Sequence, residues 1–379
     1  MLRLESGAKR RADAPTMLLR LRKNPVPADL GAVMEVASRL GYSARRLGGR
    51  EDLLALEKVP GAPPAGPEEL AAFGDLTAVA AILDRGDIVE LWRSTPDRPR
   101  TVVEAGRARF GDGSVSIIAG PCAVEDAARL LEVARAVAAR GATLLRGGAY
   151  KPRTSPYSFQ GLGPAGLELL AATREETGLG IVTEVLDPRD VGTVADVADV
   201  VQIGARSMAN YALLKEVSQI DRPVLLKRGF GATVDEFLGA AEYVLVGGNE
   251  RVILCERGVR GFDSVTRNLL DVGAIAHLAS ATHLPVIADP SHAAGRADLV
   301  RAVGRAGLVA GADGLLIEVH PAPAEVHSDG RQAIGLDEFE RLVADADALC
   351  ALDGRTLLGP SRAVPGIEGR GPATLRGTA

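Results

Sequence analysis

The sequence predicts a (β/α)8 TIM barrel preceded by a small α+β, ferredoxin-like domain, and three observations predict it. Eight short apolar runs follow residue 113, each closing on a polar or charged residue. Helical segments alternate with those runs, which gives the strand and helix count of a barrel. Ahead of them, residues 17–93 read strand, helix, strand, strand, helix, strand, the order of a split βαβ unit.

Each element has its own signal. Residues 1–15 carry charge but no apolar run, so they read as a flexible leader without a secretory signal. The ferredoxin-like domain at 16–95 comprises strands at 17–22, 42–47, 52–58 and 87–93, with helices at 27–40 and 67–83. It holds no Cys or His, hence no metal of its own, and reads as a regulatory or oligomerising domain. Residues 96–112 read as a polar linker with a short strand at 100–103. Barrel strands are expected at 115–122, 143–146, 181–185, 200–205, 223–227, 252–257, 285–292 and 315–320, because buried parallel strands are unbroken Val/Ile/Leu runs. Helices are expected at 125–140, 164–177, 188–195, 208–217, 234–246, 264–279, 297–306 and 337–348, which sets the barrel at 113–350. The Gly-, Pro- and Arg-rich stretch 351–379 reads as a disordered tail.

Composition narrows the function. The 379 residues are 46% hydrophobic with a net charge of −5 and no dense basic block. Nucleic acid and anionic membranes are therefore not expected partners, and no apolar stretch reaches the roughly 18 residues of a membrane span. Three cysteines, Cys122, Cys255 and Cys350, are odd in number and far apart, which argues for a cytoplasmic protein without a disulfide framework.

A barrel carries its active site where the strands end, and there the sequence gathers chemistry. Cys122, His292 and Glu318 fall at the ends of the first, seventh and eighth runs, and Asp329 lies in the turn after the eighth. Those strands are neighbours in a closed barrel. A mixed sulfur, nitrogen and oxygen set suits a divalent transition metal better than magnesium or calcium. The alternative is a buried cysteine, a capping histidine and a rim ion pair. Arg146, Lys151, Arg153, Arg206, Lys227 and Arg257 form a cationic set at the same rim, matched to phosphate or carboxylate; the alternative is salt bridging to Glu184, Glu256, Asp289 and Glu318. The loop from 151 to 161 holds two prolines and presents Lys151, Arg153 and Thr154, as a stiff substrate clamp would. Cys255, Cys350, Trp92 and Phe339 read as packing residues, His277 and His283 as structural, and His320 and His327 as rim residues open to either reading.

In order along the chain stand IAGPC (118–122), LRGGAYKPRT (145–154), IGAR (203–206), LKRG (226–229), DPSH (289–292), IEVH (317–320) and SDG (328–330). This series closely resembles the 3-deoxy-D-arabino-heptulosonate-7-phosphate (DAHP) synthases, and within them the microbial subtype with an N-terminal ferredoxin-like domain. The resemblance implies condensation of phosphoenolpyruvate with erythrose 4-phosphate at the entry to aromatic biosynthesis, in a homo-oligomer such as a homotetramer. It implies that Cys122, His292, Glu318 and Asp329 hold a divalent metal (Mn, Fe, Co or Zn). Arg146 and Lys227 would meet the phosphoenolpyruvate carboxylate; Arg206, Lys227, Arg257 and the Ala205 backbone would meet its phosphate. Lys151 would reach the aldehyde oxygen, Arg153 and Thr154 the sugar phosphate, and Glu184 would orient water, with Lys151, Glu184 and His292 as the catalytic group. An aromatic amino acid is the implied effector of the N-terminal domain, with Ser43, Arg45 and Arg46 as candidate contacts. The rivals are the sister 3-deoxy-octulosonate 8-phosphate synthase using arabinose 5-phosphate, a Schiff-base aldolase at Lys227, and a non-catalytic barrel scaffold or chorismate-mutase partner. The Lys-Pro-Arg-Thr loop favours the four-carbon sugar.

Overall fold

The computed structural model describes residues 17–22, 26–46, 52–62, 71–83, 90–96, 98–153, 155, 157–322 and 330–359. Among the described residues the N-terminal part is a sheet of β1 (Met17–Leu21), β2 (Tyr42–Arg46), β3 (Leu53–Lys58) and β4 (Val79–Leu83) in the order β2-β3-β1-β4. Every neighbouring pair is antiparallel. Pro27 opens the helix Pro27–Arg39, where its missing N–H costs nothing. Val33 and Val36 of that helix pack with Leu19, Leu54, Leu56 and Phe73.

This sheet corrects two expectations. Residues 79–83 form a strand where the second helix was expected to end; of the rest of that helix, 67–70 lie outside the described residues and 71–78 are mostly turn. The run Val79-Ala-Ala-Ile-Leu83 has no polar stripe to turn towards solvent. Pairing of Leu83 with Leu18 and of Ile82 with Leu19 overrides its alanine-based helix propensity. The strand expected at 87–93 is not formed over its described part, where 90–93 turn instead.

The stretch expected as a polar linker contributes core. β5 (Val103–Ala105) and β6 (Ala108–Phe110) form a hairpin, with Gly106 at φ 54 in its turn. Its inward residues Val103, Ala105, Ala108 and Phe110 share one buried cluster with Ile118, Leu144, Val182, Val200, Leu225, Ile253, Ile287 and Leu316. Those eight come one from each barrel strand, so the hairpin closes the floor of the barrel.

The strands are β7 (Ser114–Gly120), β8 (Leu144–Arg146), β9 (Gly180–Val185), β10 (Val200–Ile203), β11 (Val224–Lys227), β12 (Val252–Glu256), β13 (Val286–Ala288) and β14 (Gly314–Glu318). All pair in parallel in sequence order, and β14 returns to β7 with Glu318 opposite Gly120, closing the barrel. Period-two alternation assigns each side chain. Ile118 faces the interior cluster, whereas Ile117 and Ala119 face the outer helices. Burial on both faces is why these strands read as continuous apolar runs.

Among the boundaries that differ from expectation, three bear on the barrel's ends. β13 stops at Ala288 and the helix Pro290–Ala294 begins, so His292 stands on a helical turn and not at a strand end. Asp289 caps it by accepting from His292 N at 3.0 Å, and Pro290 occupies the first position. The helix expected from 264 starts at Val272, behind the Asp271 cap. Order continues past 351: the helix Leu336–Leu352 is followed by β15 (Thr356–Leu357), which pairs with β7, and Arg355 donates to Leu308 O and Ala312 O at 2.8 and 2.9 Å. Only 360–379 of the expected tail lie outside the described residues.

Leu91 and Thr101 are tied to the barrel by two titratable groups. Buried His283 contacts Leu91 O through Nε2 at 2.8 Å and Thr101 Oγ1 through Nδ1 at 2.7 Å. Glu242 accepts from Leu91 N at 3.0 Å. Burial, with Arg98 adding to it, pushes His283 down to about 4, so its contribution is present above the usual histidine pKa and is lost as pH falls through 4. Burial pushes Glu242 up to about 7, so its contribution is present below the usual carboxylate pKa and is lost as pH rises through 7. The two oppose each other across the same window. A Glu242→Gln variant should therefore lose stability relative to wild type as pH drops from 7 to 4.5, by up to about 3 kcal/mol. Urea denaturation at stepped pH reads this directly, and parallel pH profiles for the two proteins would refute it.

Candidate active site

The strand ends converge on a cavity of about 300 Å³ lined by Arg146, Lys151, Arg153, Glu184, Gln202, Gly204, Ala205, Arg206, Lys227, Arg257, Arg267 and His292, with Pro152, Ser155 and Ser158 of the 151–161 loop. Nine of the residues singled out in the sequence line this one space. Cys122 lies beside it, in a small adjoining cavity that also touches Arg146, Lys151 and Glu184. Thr154, His327 and Asp329 lie outside the described residues.

Cys122, His292 and Glu318 each offer one ligand atom, and these atoms lie within 4.8 Å of one another. Burial drives His292 down to about 4 against the pull of Asp289 and Glu318, so its imidazole is neutral at pH 7. Nδ1 lies 2.8 Å from Asp289 Oδ2 and Nε2 lies 3.3 Å from Glu318 Oε1. Nδ1 makes no aligned hydrogen bond among the described residues, but the charge of the Asp289 carboxylate beside it favours the proton there, which leaves the Nε2 lone pair on the side of Glu318. Three lone-pair donors then lie within 4.8 Å of one another, two of them beside the Lys151 and Arg146 cations, a grouping that a metal ion can join. A carboxylate behind a ligating histidine is also the usual outer partner of a metal-bound imidazole. The residues fit a divalent transition metal. Lys151 adds an ammonium 3.0 Å from Cys122 Sγ and 2.9 Å from Cys122 O, which favours the thiolate. Burial opposes charge on Lys151, yet Cys122 and Glu184 outweigh it and hold its pKa above the ordinary value.

The cations are paired in part. Arg146 Nη2 meets Glu318 Oε1 at 3.0 Å, and Lys227 Nζ meets Asp289 Oδ2 at 2.6 Å. Burial disfavours the Arg146 charge, but Glu318 and Cys122 outweigh it. Arg146 is buried, and its Nε and Nη1 find no hydrogen-bond partner among the described residues. Unmatched donors on a buried guanidinium are costly unless an anion joins them. Arg206 and Arg260 stack on Phe230 at 5.9 and 4.5 Å, lining a neighbouring cavity of about 260 Å³ with Arg257 and Arg267. Arg153 donates to Phe159 O at 3.0 Å, which braces the loop.

Glu184 is held by a strand neighbour that the sequence reading passed over. Gln202 stands opposite it in the β9–β10 register and donates to Oε2 at 3.1 Å, while Oε1 has no partner among the described residues. A lone amide inside the buried strand 200–203 was the available signal. Arg228 is also buried, but it pairs with Glu256 and Asp271 at 2.9 and 3.1 Å and so serves the barrel wall. His320 accepts from Ala322 N and lines a different, small cavity with Glu125 and Arg129. Cys255 and Cys350 are buried, as is Phe339.

A family model described as the DAHP synthetase I family matches residues 100–350. A phospho-2-dehydro-3-deoxyheptonate aldolase of Thermotoga maritima is 48% identical over 253 residues, which is 66% of this chain and 75% of that protein. A 2-dehydro-3-deoxyphosphooctonate aldolase of Rhodopseudomonas palustris is 32% identical over 265 residues, 65% of this chain and 91% of its own length. The crystal structure of the Thermotoga maritima DAHP synthase superposes with a TM-score of 0.70 at 38% identity, covering 90% of this chain and 99% of that one. A truncated form of that synthase gives a TM-score of 0.66 at 41% identity, covering 70% of this chain and 98% of its own.

Gly204 makes room for the Glu184 carboxylate: a Cβ there would come within 2.0 Å of Oε1. Gly204→Ala should displace that carboxylate, lower stability by about 1–3 kcal/mol through overpacking, and leave the barrel folded. A crystal structure of the variant checks this, and Glu184 unmoved against Gln202 would contradict it.

Proposed function

The chain belongs to the DAHP synthetase I family, and from that premise we propose that it condenses phosphoenolpyruvate with erythrose 4-phosphate to give 3-deoxy-D-arabino-heptulosonate 7-phosphate and inorganic phosphate. The observation that carries this reading is one cavity lined by Arg146, Lys151, Arg153, Arg206, Lys227 and Arg257 together with His292. Two anionic substrates repel each other in water, and a ring of fixed cations brings them together at low entropic cost. The relatives favour the four-carbon sugar, since identity is 48% to the heptonate aldolase against 32% to an octonate aldolase.

In the proposed reaction C3 of phosphoenolpyruvate bonds to the aldehyde carbon, and the aldehyde oxygen takes a proton to become a hydroxyl. Water adds at C2, and the C2–O bond then breaks to release phosphate and leave a ketone. Arg146, with its unmatched donors, and Lys227 would hold the phosphoenolpyruvate carboxylate. Arg206, Arg257 and Lys227, with the Ala205 N–H, would hold its phosphate. Lys151 is suited to the aldehyde oxygen and could deliver its proton. Arg153 and Thr154 would hold the sugar phosphate. Glu184 offers Oε1 to orient the water, with Oε2 anchored by Gln202.

Cys122, His292 and Glu318, with Asp329 as a fourth ligand, would hold the divalent metal. When bound, such an ion supplies Lewis acidity to the aldehyde. Lys227 Nζ lies 2.6 Å from Asp289 Oδ2 in a cavity it shares with Arg146, Arg206 and Arg257, a setting that suits anion binding better than a Schiff base. The three free, buried thiols suit a reducing cytoplasm.

One assay tests the reading: phosphate release from phosphoenolpyruvate with erythrose 4-phosphate or arabinose 5-phosphate, before and after exhaustive chelation. Turnover is expected with the four-carbon sugar, with loss on chelation and recovery on adding a divalent metal. Cys122→Ala should lose turnover by about 100-fold or more while staying folded. A preference for arabinose 5-phosphate would favour the sister activity, and full activity after metal removal would remove the metal from the account.

A further inference from the structure

The Glu318 carboxylate is held at both oxygens. Oε1 faces His292 Nε2 and accepts from Arg146, whereas Oε2 accepts from Gln332 Nε2 at 2.7 Å. Gln332 is buried, and its own Oε1 accepts from Arg267 Nη1 at 3.0 Å. Only one amide orientation satisfies both contacts, because a guanidinium can only donate and a carboxylate can only accept. A continuous chain therefore runs from Arg267, which lines both cavities, through Gln332 to Glu318.

The backbone fixes this amide in turn. Ile334, two residues on, donates to Glu318 O at 3.0 Å, and His320 N donates to Ile334 O at 3.0 Å, forming a parallel bridge between Val319 and Ile334. Ala297 N holds Arg331 O at 2.9 Å. The segment carrying Gln332 is thus stitched to the end of β14, the strand that presents Glu318.

We propose that Gln332, braced by Arg267, is the positioning residue that sets Glu318 for the metal: by engaging Oε2 it turns Oε1 towards Cys122 and His292. A freely rotating carboxylate would close on Arg146 with both oxygens, the bidentate geometry that a guanidinium favours. The Gln332 donor prevents that closure. Outer-shell contacts of this kind set metal affinity, and losing one typically weakens binding by about 10- to 100-fold.

The inference rests on the metal reading above, and its test is equilibrium binding of cobalt(II) to metal-free protein, followed by the thiolate-to-cobalt absorption of Cys122. Gln332→Met keeps the volume and removes both contacts. Gln332→Glu keeps an acceptor for Arg267 and, when ionised, cannot donate to Glu318. Both should weaken cobalt binding by about 10- to 100-fold at a thermal midpoint near that of wild type. Arg267→Met, at an exposed position, should weaken it by a smaller factor in the same direction, and it carries the test if Gln332→Met fails to fold. Wild-type affinity in Gln332→Met or Gln332→Glu overturns the proposal alone. A wild-type protein that binds no cobalt overturns the metal reading as well.

Discussion

Charges of both signs are buried together at the barrel mouth, and the rest of the site depends on their balance. Arg146, Lys151, Lys227 and Arg257 are buried alongside Glu184, Asp289 and Glu318. None of these groups repays its desolvation alone. Removing one member of a buried pair typically costs about 3–5 kcal/mol, because the other is left uncompensated. Lys227 is therefore inseparable from Asp289, and Arg146 from Glu318. Asp289 does double duty, drawing Lys227 with the oxygen that also faces His292 Nδ1. Burial would raise its pKa, but His292 and Lys227 outweigh burial and hold it well below the usual carboxylate range.

The barrel makes that concentration of charge tolerable. Parallel pairing puts every strand end on one side, and the register aligns Gln202 with Glu184 and Glu318 with Gly120. Beneath the charges, the interior cluster is apolar and is sealed at the floor by Phe110 of the β5–β6 hairpin. Floor and mouth are thus chemically opposite. Conformational freedom at the mouth is limited by short caps such as Asp289 on the helix Pro290–Ala294, which set the direction of His292.

Much of this was legible in the chain. The apolar runs gave the barrel and its order, and the polar residues closing them gave the rim, because a parallel strand buried on both faces leaves few other readings. What failed had physical causes. Val79–Leu83 resembles a helix by its alanines and is a strand because β1 supplies a partner. The β5–β6 hairpin was hidden in a stretch whose outward residues, Glu104 and Arg109, are polar while its inward ones fill the barrel floor. Asp289 and Pro290 signal a helix start, and this moved His292 from a strand end onto a turn. Gln202, Arg267 and Gln332 went unread because amides and loop arginines carry no chemistry by themselves. Their importance comes from the carboxylate or cavity that they touch.

The central claim is that Cys122, His292 and Glu318 converge on one cation with His292 as a neutral ligand. X-ray absorption at the cobalt edge of cobalt-substituted protein tests it most directly. The account predicts one sulfur neighbour at about 2.3 Å together with nitrogen and oxygen neighbours near 2.0–2.2 Å, by analogy with comparable zinc sites, and loss of the sulfur shell in Cys122→Ser. A bound cobalt without a sulfur neighbour in the unsubstituted protein would contradict it.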